Sequence, residues 1–308
     1  MSALDRLPAI SLAELNDRAE LLTRTDRKYV IAAAELDALV TGLHPAGTAG
    51  LRVLEIDGRR GSRYESTYLD TAGLDSWAGA AHRRRRRWKV RTRHYADTGE
   101  RWLEVKTRGP RGTTVKERLP HDGREVAGPA AAWVRDRLGA AGVHDVDPSG
   151  LVATLHTSYR RTTLLLPGDA GRATVDRDLR WVSGHGAVGV GDVLVVETKS
   201  GTPHPGPLDR RLWELGHRPV RISKYATGLA LLTPDLQANR WHRVRSRHLA
   251  DHLTLREGAP SSGPPSAAEH PGVVAYGLLC TRVSCFAPGI CTCKWGGHRI
   301  SGDRPLSG

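Results

Sequence analysis

The chain has 308 residues, 39% of them hydrophobic, and its 46 lysines and arginines against 33 aspartates and glutamates give a net charge of +13. That surplus calls for an anionic partner, whether nucleic acid, phosphate compound or membrane surface. No apolar run approaches the roughly 18 to 20 residues of a membrane helix, and "MSALDRLPAISLAEL" lacks a basic segment followed by an apolar one, so a cytoplasmic protein is expected.

Ser11 is placed as the N-cap of a first helix, with Glu14 three residues on. "RKYVI" follows as a β-prone strand, and a second helix starts near Ala33. From about Leu51 to Leu119 strands dominate, in "RYESTYLDT", "RWKVRTRHY", "RWLEVKTRG" and "TTVKERLP". "ADTGE" and "GPRG" between them carry the Gly, Pro and Asp residues of hairpin turns, giving an antiparallel meander. "GPAAAWVRDRLGAAG" reads as a helix ended by glycine. Three more strands follow, in "LVATLHTSYRRTTLLL", "GRATVDRDLRWV" and "DVLVVETKS", then a helix in "GPLDRRLWELGH" that leads into "RPVRISKYATGLALL". Residues 1–255 form the expected domain. Residues 256–308 open on "EGAPSSGPPSAAEHPG", which is not expected to pack, and hold every cysteine: Cys280, Cys285, Cys291 and Cys293. Their spacing, even with His298, lacks the paired knuckles of a structural zinc site, so an unstructured extension is expected.

Side chains of a strand point to opposite faces in turn. Lys89, Arg91 and Arg93 therefore share one face, as do Glu104, Lys106 and Arg108; Lys116 and Arg118; Tyr159, Arg161 and Thr163; Arg172, Thr174 and Asp176; and Glu197 and Lys199. For one strand, such a row is a solvated exterior. When strand after strand repeats it, rich in arginine, a barrel lined inwardly with cations becomes the alternative, and a chain of phosphates is its natural filler. Glu104 and Glu197 would repel that filler unless they hold cations in place or coordinate a divalent metal. The run Arg83–Arg87 leads into a strand at the channel mouth, either as a solvated basic loop or as a funnel for polyanions. Trp88, Tyr95 and Trp102 near the basic strands would suit a nucleic-acid module, whereas the recurrent carboxylates suit phosphoryl transfer.

Nine segments, taken in order, resemble the VTC domain: "RTDRKYVI", "YLDT", "KVRTRHY", "LEVKTRG", "TVKERL", "SYRRT", "RATVDRDL", "VVETKS" and "RISKYATG". This is the polyphosphate-polymerase domain of the vacuolar transporter chaperone family and its bacterial relatives, within the triphosphate tunnel metalloenzymes. The resemblance covers about residues 8 to 235. It implies an α+β fold with a closed antiparallel β-barrel, the triphosphate tunnel, and flanking helices. It also implies an ATP-dependent polymerase that transfers the γ-phosphate of ATP to a growing inorganic polyphosphate chain, with Mn2+ or Mg2+. Carried over by motif, Lys28, Arg91, Arg93, Lys106, Arg161 and Lys224 would be catalytic, and Lys116, Tyr159, Arg172, Lys199, Arg221 and Ser223 would bind substrate. Glu197, with Glu104, would hold the metal. Where hydrolytic relatives carry ExExK this chain reads "RTDRKY", which favours the polymerase. Hydrolysis stays open, because water can replace phosphate as acceptor, and so does a non-catalytic polyanion-binding module. The implied partners are ATP and inorganic polyphosphate, with no specific nucleic acid, and coupling to transport would require a separate membrane protein.

Overall fold

The computed structural model describes residues 3–19, 25–43, 50–109 and 113–256; the cysteine-containing tail and the last three residues of the "GPRG" turn lie outside them. In chain order the elements are β1 (Ala9–Ile10), α1 (Leu12–Ala19), β2 (Thr25–Ala32), α2 (Leu36–Thr41), β3 (Arg52–Leu54) and β4 (Ser62–Asp70). Then come α3 (Asp75–Ala81), β5 (Trp88–Tyr95), β6 (Arg101–Arg108), β7 (Thr114–Pro120), α4 (Gly128–Ala140) and β8 (Val152–Leu165). The described chain ends with β9 (Arg172–Ser183), β10 (Gly186–Val190), β11 (Val193–Ser200), α5 (Pro207–Glu214), α6 (Lys224–Leu232), α7 (Asn239–Val244) and β12 (Leu253–Arg256). The Ser11 hydroxyl accepts the Glu14 amide at 3.1 Å, the cap read from the sequence. No helix among the described residues is long and apolar enough to cross a membrane.

Hydrogen-bonded antiparallel neighbours run β7, β6, β5, β4, β8, β9, β11, β2. Alternation gives each strand one apolar row, and those rows choose the helices. Tyr29, Ile31, Ala173, Val175, Leu194 and Val196 pack with Leu39 and Val40 of α2 and Leu208 and Leu212 of α5. Trp88, Val90, Leu103 and Val105 pack against Trp133, Val134 and Leu138 of α4. Each buried valine, leucine or isoleucine among them contributes roughly 1.5–3 kcal/mol. The apolar rows thus take the helices, and the charged rows are left to the inner face of the sheet. A buried carboxylate pins α5: Asp209 accepts from the Tyr29 hydroxyl at 2.7 Å, the Thr198 hydroxyl at 2.7 Å and the Gly206 amide at 2.9 Å.

The inner face has its own helix. A bulge near Asp178, which has φ of 57°, turns Leu179 and Trp181 to the same side as Tyr159 and Leu155. There they pack with Tyr225, Ala226, Leu229 and Ala230 of α6. Trp181 donates its indole N–H to the Lys224 carbonyl at 2.6 Å, and a Cβ at Gly228 would lie 2.0 Å from the Trp181 ring. Tyr225 stacks on Tyr68 at 5.0 Å and donates its hydroxyl to Asp70 at 2.5 Å. Asp70 also accepts the amides of Thr71, Ser76 and Trp77, fixing the turn after β4 and the start of α3. Tyr29, Tyr225 and Asp70 are thereby bonded into the fold.

The expectation of a closed barrel is corrected. The sheet is antiparallel with flanking helices, but among the described residues no ladder joins β7 to β2. The reason lies at the free edge of β2, where the Val220 amide donates to the Lys28 carbonyl at 2.7 Å. The segment before α6 thus stands where a closing strand would pair.

Gly228→Ala is expected to destabilise the fold by about 2 kcal/mol, because the added methyl meets an indole locked by its own hydrogen bond. Urea denaturation at constant m-value checks it.

Candidate functional site

The wall made by β5, β6 and β7 is organised by one carboxylate. Register places Arg91 opposite Glu104 and Glu104 opposite Arg118, with Lys89, Lys106 and Lys116 in the neighbouring row. Glu104 is 2% exposed and receives Arg91 at 2.5 Å, Lys116 at 2.5 Å and Arg93 at 4.0 Å. Burial alone would push its carboxyl up, but Arg91, Arg93 and Lys116 together hold it well below the usual carboxylate range. Arg91 also donates to the Tyr68 hydroxyl at 3.1 Å. Arg93 donates to Ser66 at 3.3 Å and to the Tyr159 hydroxyl at 3.1 Å.

The opposite wall repeats the device. Asp176 of β9, 1% exposed, takes Arg161 of β8 through two bonds of 2.6 and 2.8 Å and pairs with Lys224 at the start of α6. Arg161 and Lys224 both lie over the Tyr159 ring, which stacks on Tyr64 at 5.3 Å. Beside them Glu197 of β11 meets Lys28 of β2 at 3.7 Å and Lys199 at 4.0 Å. Lys28, Asp176, Glu197 and Lys224 line one small pocket with Leu179, Val195 and Ile222.

Between the walls the cations outnumber their partners. Lys89 donates to the Ser223 hydroxyl at 2.9 Å, and Ser223 in turn accepts the Ala226 amide as the cap of α6. Burial, then Lys106 and Lys28, push the Lys89 ammonium well below the usual lysine range. Burial of the ammonium among its neighbours, then Lys28, lowers Lys106 to about 8, although the residue is exposed and solvent screens part of the effect. Such mutual repulsion between Lys89 and Lys106, which have no carboxylate within bonding distance among the described residues, is relieved when an anion enters.

The structure therefore brings together Lys28, Arg91, Arg93, Glu104, Lys106, Lys116, Tyr159, Arg161, Glu197, Lys199 and Lys224. Arg172 stands apart, donating to the Ala19 carbonyl at the end of α1 at 3.1 Å, and Arg221 is exposed before α6. Sequence reasoning gave no role to Lys89, which heads the alternating row of β5, or to Asp176, which shares a face with Arg172 and Thr174. No group of three or more His, Cys, Asp or Glu able to hold a metal occurs among the described residues. Glu104 and Asp176 are each held tightly by two cations. Of these three carboxylates Glu197 has the looser pairs, at 3.7 and 4.0 Å, and so is the one suited to share a divalent cation with ligand phosphates, the mode usual for Mg2+.

The family model for the VTC domain matches residues 23–233. No curated protein matches the chain. Among solved structures, a candidate adenylate cyclase from Bacillus halodurans is similar at 13% identity and a TM-score of 0.42, over 66% of this chain and 94% of that one. A candidate adenylyl cyclase from Hippeastrum, described by a dominant triphosphatase activity, is similar at 17% identity and a TM-score of 0.40, over 70% and 99%. The PH1012 protein of Pyrococcus horikoshii is similar at 14% identity and a TM-score of 0.32, over 70% and 95%.

A lysine held at about 8 when folded and 10.5 when unfolded makes the unfolded chain bind more protons between those values. Its share of the stability of the ligand-free protein is therefore unfavourable at pH 7 and rises with pH across that window. Lys106→Met is expected to raise the urea midpoint at pH 7, to have a smaller effect at pH 10, and to weaken tripolyphosphate binding. An unchanged midpoint together with unchanged binding would remove Lys106 from the site.

Proposed function

The chain belongs to the VTC domain family, and we propose that it is an ATP-dependent polyphosphate polymerase. The observation that carries this reading is the channel face itself, where basic side chains from β2, β5, β6, β7, β8 and α6 converge with their carboxylates already engaged by cations. Phosphoryl transfer asks little covalent chemistry of a protein; it needs positioning and neutralisation of charge on the transferring group. Arg91 and Arg93, fixed by Glu104, and Arg161, fixed by Asp176 together with Lys224, suit rigid contact with phosphate oxygens, while Lys28, Lys89 and Lys106 supply mobile charge between them. Glu197 would hold Mn2+ or Mg2+ together with phosphate oxygens, and the ion when bound would neutralise charge on the bridging and terminal oxygens.

The carboxylates of this face suit phosphate as the acceptor. A terminal phosphate oxygen of the growing chain is already anionic, so it attacks the γ-phosphorus and expels ADP without a general base. Water is assisted by one. Lys28 and Lys199 outweigh burial and hold the Glu197 carboxyl well below its usual range, and Glu104 is held down in the same way. Carboxylates so depressed are weak bases. Arg172 serves the fold at α1 in this reading, and ATP and inorganic polyphosphate are the partners.

With γ-labelled ATP and Mn2+, the purified protein is expected to give a ladder of long labelled polyphosphate. Arg91→Ala and Glu197→Ala are each expected to lower the rate by roughly 10²–10³. Labelled orthophosphate without a ladder would establish a hydrolase in its place, and tight binding without turnover a binding module.

A further inference from the structure

We propose that an arginine collar at the α3 end of the channel is a second anion site, which holds the part of a polyphosphate chain that extends beyond the catalytic face; the proposal rests on the polymerase reading above. The collar consists of Arg83, Arg87, Arg108, Arg221 and Arg240. The register between β5 and β6 pairs Trp88 with Thr107, and the Arg108 amide donates to the Arg87 carbonyl at 3.1 Å. Arg87 and Arg108 are thus the next members of the rows that hold Lys89 and Lys106, at the strand ends away from Arg93 and Trp102. Arg240 of α7 donates to the Ala80 carbonyl in the last turn of α3 at 2.5 Å. A Cβ on Gly79 of the same turn would lie 3.9 Å from Cγ of Arg87. Arg221 stands two residues before Ser223, the hydroxyl that receives Lys89.

These guanidinium groups feel one another. Beyond its own burial, Arg240 is pressed down by Arg87, Arg221, Arg83 and Arg108 together. None of the five pairs with a carboxylate among the described residues, in contrast to Arg91 and Arg161 deeper in the channel. Clustered like charges without counterions are unfavourable and call for an anion. Continuity identifies it. Two same-face steps, about 13 Å of backbone, separate Arg91 from Arg87, so an extended chain suits both better than a compact ion does. Nucleic acid fits less well, because the neighbouring Trp77, Trp88 and Trp241 are buried and offer no platform for base stacking.

The test compares the binding of tripolyphosphate and of long-chain polyphosphate to the full chain by titration calorimetry at physiological salt. The collar variant is Arg83→Gln/Arg108→Gln, both exposed. The control is Arg160→Gln/Arg177→Gln, cross-strand neighbours on the outer face of β8 and β9 that are also exposed and remove the same charge. The collar variant is expected to lose about tenfold in affinity for the long chain and to keep its tripolyphosphate affinity, while the control keeps both. Equal losses in collar variant and control, a parallel loss of tripolyphosphate, or displacement of the long chain by a single-stranded oligonucleotide at equal concentration would overturn the collar. If the unaltered protein binds neither phosphate ligand, the polymerase reading falls as well; failure of the collar alone leaves tripolyphosphate binding intact.

Discussion

The buried Glu104 carboxylate is the constraint on which the site turns. It draws an arginine from β5 and a lysine from β7 onto one residue of β6, with a second arginine at 4.0 Å, and so fixes how three strands present their charged rows. Without it, Arg91 and Arg93 would stand close together with nothing to offset their repulsion. With it they become oriented guanidinium groups whose remaining N–H donors meet Tyr68, Ser66 and Tyr159. Asp176 does the same for Arg161 and Lys224 on the facing wall. Breaking a buried pair by removing one partner typically costs 3–5 kcal/mol. The two anchors therefore belong to the fold as much as to the chemistry.

The second constraint is α6. Its apolar side seats on the inner face through Trp181 and Gly228, and this places Ser223 and Lys224 among the strand-borne cations. A helix inside a curled sheet would be improbable on periodicity alone. It becomes possible because the bulge at Asp178 exchanges a charged row for an apolar one partway along β9. One end of the inner face is thereby core and the other channel, and Lys224 sits at the boundary.

Strand alternation was the most legible part of the sequence. The rows at Lys89, Arg91 and Arg93 and at Glu104, Lys106 and Arg108 share a face as read, because register within a meander follows from the apolar row that must be buried. Glu104 and Glu197 looked alike in the sequence, each on a charged row of a strand. They differ in the structure because cross-strand neighbours, not the residue type, decide how many cations a carboxylate meets. Closure was illegible for a similar reason. The backbone amide that occupies the edge of β2 comes from Val220, nearly two hundred residues away, and carries no local signal. The short helix α3 escaped as well, since its start is fixed by Asp70 and not by a capping residue of its own.

An ordinary interior pairs its charges, and this one pairs only some. On the two walls Arg91, Arg93 and Arg161 are tied to carboxylates and tyrosines and Lys116 and Lys224 share those carboxylates, whereas Lys89 and Lys106 are left to repel each other and Lys28. The unsatisfied charge between the walls thus falls on lysine, which suits the chemistry of the two side chains. A planar guanidinium must be aimed before it can grip phosphate in two-point fashion, so its orientation has to be fixed in advance. An ammonium on a flexible stem needs no aiming, and its value lies in charge that is not yet satisfied. Pairing the lysines would steady the empty channel and weaken its hold on an anion. Burial first and repulsion second lower their proton affinity in the free protein, and the repulsive part is free energy that an incoming chain of phosphates recovers as it passes them.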